Sequence, residues 1–315
     1  MKHPRSILTA AMALLLTVAR AADPLVFISA FSPDDKAAIH SFQFDSRRGV
    51  LKPLHRTTGI HNPFFIAVSP NKRFLYAIDA KQFGGREDEA VAAYAIEGRS
   101  GRLTRLNQTS SRGTSSCYLD VDATGRTVLV ANYSSGSVAS LPVAKDGSLG
   151  AAASFMQHRG SSVNAERQEA AHAHSFVISP DNRFALAADL GIDKVMIYRL
   201  SPDSATLTPN EAQPSVNLAP GAGPRHITFH PNGRRVYVIN ELKDTVTFFD
   251  YAPATGTLSE RQTIPTLPPD FAGKSYCADL KITPNGKYLY GTNRGHDSIA
   301  CYRIGSDGKI GRAHV

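Results

Sequence analysis

The sequence contains no tryptophan, only three cysteines and no long block of basic residues. Cys117, Cys277 and Cys301 are odd in number and widely spaced. They predict buried small side chains rather than a disulfide framework or a cysteine-based zinc site. The absence of a Lys/Arg block argues against nucleic acid as a ligand. The patterns G-x-S-x-G and H-E-x-x-H are also missing, so a covalent serine mechanism and a zincin site have no support.

The first 22 residues differ in composition from the rest of the chain. Lys2 and Arg5 precede the apolar run Ile7 to Val18, and Ala19-Arg20-Ala21 has the small-x-small pattern of a cleavage site. The run is too short to span a bilayer comfortably, so we predict a signal peptide at residues 1–22 and an exported protein, periplasmic or secreted, with no membrane contact after cleavage. Cleavage removes three of 35 basic residues and none of 27 acidic ones, so the net charge falls from +8 to +5. This mild basicity favours a small anionic ligand.

A repeat of ~50 residues runs through the remaining sequence. Each unit has a short strand, a turn, a β-branched second strand and a third strand. The turns are centred, at spacings of 53, 57, 51 and 53 residues, on Pro70, Ala123, Pro180, Pro231 and Pro284. Antiparallel four-stranded units without any helical periodicity predict the blades of a β-propeller. The lack of tryptophan and of a repeated Gly-Gly pair disfavours the WD40 and kelch types.

The number of strands bears on both ends of the chain. Three strand candidates precede the first full unit, namely Leu25 to Phe31, Ala37 to Phe44 and Val50 to Thr57, and the sixth unit reaches only its third strand. This gives 22 strands, whereas seven four-stranded blades need about 28. We therefore expect an all-β, seven-bladed propeller over residues 23–315, truncated at the C-terminus within blade six and lacking the last blade and the closing strand. A monomer is expected.

Four sequence blocks carry a resemblance to a known family. They are LVANYSSGSV, HAHSFVISPDNRFALAADLG, GAGPRHITFHPNGRRVYVINEL and NRGHDSIACYRI. These blocks resemble blades three to six of the seven-bladed propeller lactonases, which include the bacterial propeller-type 6-phosphogluconolactonase and, more distantly, the fungal carboxymuconate lactonizing enzymes. The likeness extends from Leu25 to Ile310, and no counterpart of the family's seventh blade follows. It implies a propeller fold and a lactonase activity.

Alignment of the units locates a candidate site. The ninth residue after each turn centre is always Asp or Asn, which predicts a structural cap: Asp79, Asn132, Asp189, Asn240 and Asn293. The sixth residue before each turn centre and the tenth residue after it differ from unit to unit. In three neighbouring units these positions include His174, Arg225, Glu241 and Arg294. The start of one strand and the end of its hairpin partner lie together, so these four should share one face. The resemblance places the family's implicated His, Arg, Glu and Arg there. The structural alternative is an ion pair on the rim.

Three further residues are predicted to contact substrate, namely His172, Arg167 and Asn240. His172 and His174 lie two apart on one strand and could bind a metal, but no third ligand stands at a recognisable spacing, so we predict no metal and no other cofactor. Arg167 lies in the preceding loop, which also resembles the family. The loop Lys81 to Glu89 is predicted to cover the site, and Pro265 to Ser275 to lie at the opposite end of its blade.

The resemblance implies a carboxylic ester hydrolase that opens a sugar lactone, most simply 6-phosphogluconolactone to 6-phosphogluconate. Such a reaction needs a base, donors for an oxyanion and an anchor for an anionic group. We assign Arg225 and Arg294 to the anion and the oxyanion, and His174 to the base, with Glu241 orienting the imidazole or acting as base itself. A neutral imidazole near its ordinary pKa of ~6.5 suits the task better than a carboxylate between arginines.

The alternative is a non-catalytic exported propeller that binds a small anionic ligand or a protein partner on the same rim. Export keeps this alternative open, because the phosphorylated lactone is normally a cytosolic metabolite. An exported enzyme would instead meet an unphosphorylated or otherwise acidic lactone.

Overall fold

The computed structural model describes residues 23–32, 36–82 and 84–312. The predicted signal peptide, residues 1–22, lies outside this range. The described residues form 24 strands and one short 3-10 helix, Leu190–Ile192. None of this part of the chain forms a helix long and apolar enough to cross a membrane.

The strands make six antiparallel sheets, which are six propeller blades, and their labels follow chain order. Blade one has β1 Leu25–Ala30, β2 Ala38–Asp45 and β3 Val50–Thr57. Blade two has β4 Ile66–Val68, β5 Phe74–Asp79, β6 Ala90–Ile96 and β7 Leu103–Ser110. Blade three has β8 Ser116–Val121, β9 Thr127–Asn132, β10 Ser137–Pro142 and β11 Ser154–Gln157. Blade four has β12 Ala173–Ile178, β13 Phe184–Asp189, β14 Lys194–Ser201, β15 Thr206–Pro209 and β16 Ser215–Asn217. Blade five has β17 Pro224–Phe229, β18 Arg235–Asn240, β19 Thr245–Ala252 and β20 Thr257–Pro265. Blade six has β21 Tyr276–Ile282, β22 Tyr288–Arg294, β23 Ser298–Ile304 and β24 Ile310–Arg312.

Two details differ from the sequence prediction. In blade four the outermost strand is split, because β15 pairs with one half of β14 and β16 with the other. Pro209 and Pro214 flank the break, and proline cannot donate to a strand ladder. In blade six a fourth strand is present, since β24 pairs with β23 through Ile304 and Ile310. The strand count from the sequence had only three strands in this blade.

The repeated turn has a backbone reason for its composition. One turn residue in each of blades two to six is left-handed, with φ between 60° and 71°: Lys72, Gly125, Asn182, Gly233 and Gly286. Glycine and asparagine reach this conformation at low cost, which explains the Pro-Asn-Gly sequences. These turns fix the register of the first two strands of each blade.

The hydrophobic core lies between blades rather than within them. Each of five buried clusters joins two consecutive blades. Between blades four and five, for example, Phe184 and Phe249 are fully buried in one cluster. Burial of one such side chain contributes about 1.5–3 kcal/mol. The clusters hold the innermost strands β4, β8, β12, β17 and β21 side by side, and each contacts the next.

The outer faces of the first and sixth sheets are exposed. Ile28 and Leu51 lie on the first sheet, opposite the face that packs on blade two, and Ile28 is 43% exposed. Tyr290 and Ile299 lie on the sixth sheet, opposite the buried Leu289, and Ile299 is 67% exposed. The all-β propeller with four-stranded antiparallel blades is thus confirmed, and the described residues supply six blades.

Candidate active site

A β-bulge positions the candidate side chain at the start of the innermost strand. In blade four the register passes from Ala173 to Ser175, so His174 is the bulged residue. In blade five it passes from Pro224 to His226, which leaves Arg225 in the same place. A bulge takes one side chain out of the regular alternation and re-aims it. In blades three to five, the sixth position before the turn centre is therefore the position at which one side chain leaves the regular alternation of the sheet.

Glu241 is the centre of the site. Its Oε1 accepts a hydrogen bond from Nη2 of Arg167 at 2.7 Å. Its Oε2 accepts one from Nε of Arg225 at 2.8 Å and lies 2.9 Å from Nη2 of Arg294. We call these four residues the Glu241 cluster. Because one carboxylate faces three guanidinium groups, the cluster carries two uncompensated positive charges.

Backbone contacts fix the cluster in place. The amide of Glu241 donates to the carbonyl of Gly223 at 2.7 Å. The Nη1 of Arg225 donates to the carbonyl of Ala278 at 2.7 Å, and Nη2 of Arg294 donates to the carbonyl of Cys277 at 3.2 Å. Both of these acceptors belong to β21 in blade six. The geometry of the cluster consequently depends on how blades five and six pack.

Two members of the Glu241 cluster are buried and two are partly exposed to solvent. The side chains of Glu241 and Arg225 are 4% and 12% exposed, whereas those of Arg167 and Arg294 are 32% and 51% exposed. One arginine would satisfy the buried carboxylate electrostatically. The other two leave guanidinium donors facing solvent, where they can bind a carboxylate or phosphate in a bidentate manner. The ion pairs expected by the structural alternative are present. One carboxylate does not neutralise three guanidinium groups, however, so positive charge remains at the site.

His174 lies beside this cluster and is buried. Its ring makes edge contacts with Tyr133 and His226, each with centroids 5.4 Å apart, and its Nδ1 is 3.7 Å from Sγ of Cys117. Burial, with Arg225 and His226 nearby, lowers the pKa of His174 well below 6.5. The pKa of His174 therefore differs from the ordinary value expected from the sequence, because burial removes the ring from water. The imidazole is therefore neutral at pH 7 but a weaker base than expected.

Comparison with known proteins agrees with this architecture. Residues 25–314 match the family model described as "Lactonase, 7-bladed beta-propeller". The chain belongs to the seven-bladed β-propeller lactonase family. It is 36% identical over 278 residues to the 6-phosphogluconolactonase of Bacillus subtilis strain 168, covering 88% of this chain and 77% of that protein. It is 30% identical over 293 residues to the 6-phosphogluconolactonase of Formosa agariphila, covering 89% of this chain and 78% of that protein.

A solved structure has a similar fold. The periplasmic gluconolactonase of Pseudomonas aeruginosa superposes with a TM-score of 0.85 at 30% identity, covering 93% of this chain and 82% of that one. The resemblance stated from sequence motifs is confirmed by these comparisons.

His172 and Arg167, both predicted to contact substrate in this lactonase-family chain, differ in their surroundings. His172 is buried, stacks on Tyr133 at 4.6 Å, and has Nδ1 3.0 Å from the Tyr133 carbonyl and Nε2 3.1 Å from Oε1 of Glu169. Both ring nitrogens thus have partners within the protein. Arg167, in contrast, belongs to the Glu241 cluster. No group of three or more His, Cys, Asp or Glu side chains arranged for a metal occurs among the described residues.

Asn240 has a structural role in this geometry. It is 1% exposed, and its Nδ2 donates to the hydroxyls of Thr245 and Thr247 in the adjacent strand, at 2.9 and 3.0 Å. The Nδ2 group is thus held within its own blade, and the contact of Asn240 with substrate stays a prediction. The uniform Asp/Asn at this position had already indicated a cap.

Sequence reasoning missed residues on two loops of this face. Tyr133 occupies the tenth position after its turn, a register signal that could have identified it, and its hydroxyl accepts from Arg167 at 3.3 Å. Lys274 and Arg167 lie over the ring of Tyr276, at 5.5 and 5.7 Å from its centroid. The loop Pro265 to Ser275 therefore ends on the site face, and its predicted position at the opposite end is wrong. The fourth strand of a blade ends where the first strand of the next begins.

Proposed function

We propose that this chain hydrolyses an anionic sugar lactone, most simply 6-phosphogluconolactone to 6-phosphogluconate. The observation that carries the proposal is the Glu241 cluster, in which three guanidinium groups surround one buried carboxylate and two of them reach solvent. An excess of fixed positive charge at the end of several strands selects an anion and stabilises a developing oxyanion. The names of the relatives support a lactone as the substrate.

The proposed reaction is attack of water on the lactone carbonyl. His174 takes a proton from the water as its oxygen bonds to the carbonyl carbon. Arg225, with its limited exposure, faces the oxyanion that forms. The bond to the ring oxygen then breaks, and that oxygen receives the proton from His174. Arg294 binds the anionic group of the substrate, because half of its side chain is open to solvent.

The choice of base rests on the contacts of Glu241. Its two oxygens already face three arginines, whereas the Nδ1 of His174 lies 3.7 Å from the Cys117 thiol. Burial raises the pKa of Cys117 to about 12, so this partner is a neutral thiol. We therefore propose His174 as the base and Glu241 as the residue that orients the arginines. An anionic substrate beside Arg225 and Arg294 offsets their charge and makes His174 more basic in the complex.

We propose export as well, on the basis of the predicted signal peptide at residues 1–22. The name of the Pseudomonas aeruginosa periplasmic gluconolactonase supports this compartment. In that setting an unphosphorylated or otherwise acidic lactone is the alternative substrate to 6-phosphogluconolactone. The second candidate function, anion binding without turnover, is favoured by one observation, which is the lowered pKa of His174.

A lactone panel separates the two functions. Proton release is followed above the spontaneous rate with 6-phosphogluconolactone and glucono-δ-lactone, and 6-phosphogluconate binding is followed by calorimetry. Turnover that falls in Arg225→Ala and needs a higher lactone concentration in Arg294→Ala supports the hydrolase. Tight binding of 6-phosphogluconate with no turnover of any lactone would replace it with the binding protein.

We further propose that a seventh sheet packs between the exposed outer faces of the first and sixth sheets, as in the family description. The apolar side chains Ile28, Leu51, Tyr290 and Ile299 on these faces support it. A protein extended by ~60 residues, one repeat and a closing strand, should be more soluble and melt at a higher temperature. Equal solubility and equal melting would contradict this.

A further inference from the structure

The carboxylate of Asp193 lies at the junction of two loops of the site. It is 4% exposed. Its Oδ1 accepts from Nε2 of Gln168 at 2.8 Å and from the amide of Gly223 at 2.7 Å. Its Oδ2 accepts from the amide of Gly221 at 2.6 Å and from the hydroxyl of Ser162. Four donors from two separate segments therefore converge on one side chain.

These donors are adjacent to members of the Glu241 cluster. Gln168 directly follows Arg167, and Gly223 precedes Arg225 by two residues. The carbonyl of Gly223 also accepts the amide of Glu241. Through two short covalent connections and one hydrogen bond, the Asp193 carboxylate constrains three of the four residues of the cluster.

Comparison among the blades distinguishes the role of the Asp193 carboxylate from the role of the Asp193 backbone in its turn. The thirteenth residue after the turn centre is left-handed in blades three to six, with φ between 47° and 58°: Gly136, Asp193, Asp244 and Asp297. In three of these blades its carbonyl accepts an amide from the residue that directly follows the outermost strand: His158, Leu218 and Thr266. Because Gly136 performs this backbone role with no side chain, the turn does not require a carboxylate. Asp244, at the equivalent place in blade five, has Ser275 and Cys277 beside its carboxylate. The connection to the Arg167 loop through Gln168 is what distinguishes Asp193.

We propose that Asp193 is the positioning residue of the site. Its carboxylate locks the loop that carries Arg167 to the segment Gly221 to Gly223, so that the guanidinium groups of Arg167 and Arg225 meet at Glu241. The activity part of the test rests on the proposed function. The structural part does not.

Asp193→Asn is the sharpest substitution. Asparagine has nearly the same shape and tolerates a left-handed backbone, so the turn is kept. It offers only one acceptor oxygen, and its NH₂ group would face either the amide of Gly221 or the amide of Gly223. One backbone N–H is then unsatisfied in a buried place, and the segment must shift.

Asp122→Asn is the matched control. Asp122 is fully buried, and its Oδ1 accepts the amides of Arg126 and Thr127, both at 2.6 Å. Its Oδ2 accepts the amide of Thr124 at 2.8 Å and Nδ2 of Asn182 at 3.0 Å. The substitution thus removes an equally connected carboxylate, but in the turn between β8 and β9, at the end of the blade away from the site.

Both variants are compared with wild type in turnover, in 6-phosphogluconate affinity and in crystal structure. Asp193→Asn should lower kcat roughly 10- to 100-fold, because small displacements of catalytic groups have effects of this size. Asp122→Asn should lose similar thermal stability while kcat stays within about twofold, as expected for a site without contact to the chemistry. If Asp193→Asn matches Asp122→Asn in kcat, the proposal is overturned.

Two further measurements decide the proposal if wild type is inactive or if Asp193→Asn does not fold. If wild type turns over no lactone, the proposed function fails, and the crystal structure of Asp193→Asn decides: separation of Arg167 from Glu241 supports the positioning role, and an intact pair overturns it. If Asp193→Asn does not fold, Gln168→Ala takes its place, since it removes the Gln168 contact with Asp193, together with its contacts to Asn164 and Leu190, and leaves the Asp193 contacts with Gly221 and Gly223 intact. A reduced kcat or a displaced Arg167 in Gln168→Ala supports the proposal, and no change in either overturns it.

Discussion

Nη2 of Arg294 lies 2.9 Å from Oε2 of Glu241, although the two residues belong to neighbouring blades and are joined by no common strand. Arg294 ends β22 in blade six, and Glu241 follows β18 in blade five. Their proximity comes from the core between the blades, where Ile239 and Leu289 are fully buried together. The chemistry of the site is thus coupled to the packing of the propeller.

Removal of Arg294 should weaken binding of anionic lactones. Its side chain is half exposed and is the cluster member most open to an incoming anion. Loss of a charge-assisted hydrogen bond of about 1.5–3 kcal/mol corresponds to roughly a 10- to 100-fold rise in KM for 6-phosphogluconolactone. Steady-state kinetics of Arg294→Ala measure this, with exposed Arg303→Ala on β23 as the control. An unchanged KM in Arg294→Ala would remove Arg294 from substrate binding.

Replacement of His174 should affect turnover rather than binding. A folded His174→Ala variant is expected to lose roughly 10²-fold or more in kcat, the usual contribution of a general base, with KM almost unchanged. Glu241→Gln is measured beside it, and its first effect should be on KM, because it releases the arginines. If His174→Ala retains full turnover while Glu241→Gln abolishes it, Glu241 is the base.

The pH profile should show the depressed basicity of His174. Its pKa in the folded protein lies well below 6.5, so the imidazole stays neutral and active as the pH falls through 6.5. The acid limb of kcat/KM is therefore expected below pH 6.5. Arg294 is one of the charges that lower this pKa, so Arg294→Ala should move the limb towards 6.5. A wild-type limb at or above pH 6.5 is incompatible with this assignment.

Lys274 should distinguish phosphorylated from unphosphorylated lactones. It shares the ring of Tyr276 with Arg167 and so adds a positive charge at the edge of the cluster. For Lys274→Ala we expect KM to rise about 3- to 10-fold with 6-phosphogluconolactone, the size of an exposed ionic contact, and to change little with glucono-δ-lactone. Exposed Lys287→Ala, in the turn between β21 and β22, is the control. Equal effects on both substrates would exclude a role in recognising phosphate.

The predictable part of the site follows from the repeat. Turns of fixed composition set the strand register, and the register alone identifies the bulged position that holds His174 and Arg225. Glu241 and Arg294 follow from the same alignment. The fold class could be predicted for the same reason, since every blade repeats one local pattern.

The remaining features depend on contacts between segments that share no register. Asp193 occupies a turn position common to several blades, and only the neighbouring Gly221 and Gly223 reveal the role of its carboxylate. Lys274 lies in a loop whose position follows from the chain path between blades. The lowered pKa of His174 arises from burial by neighbouring blades, and a one-dimensional pattern does not show solvent exclusion.

The bulge at the start of the innermost strand in blades three to five bears on how new specificities can arise. It separates one side chain from the ladder that stabilises the sheet, so Cys117, His174 and Arg225 occupy equivalent places with unrelated chemistries. A substitution at one of these positions changes a side chain beside the site while the hydrogen bonds between the strands are retained. A laboratory selection for a new substrate can therefore begin at Cys117.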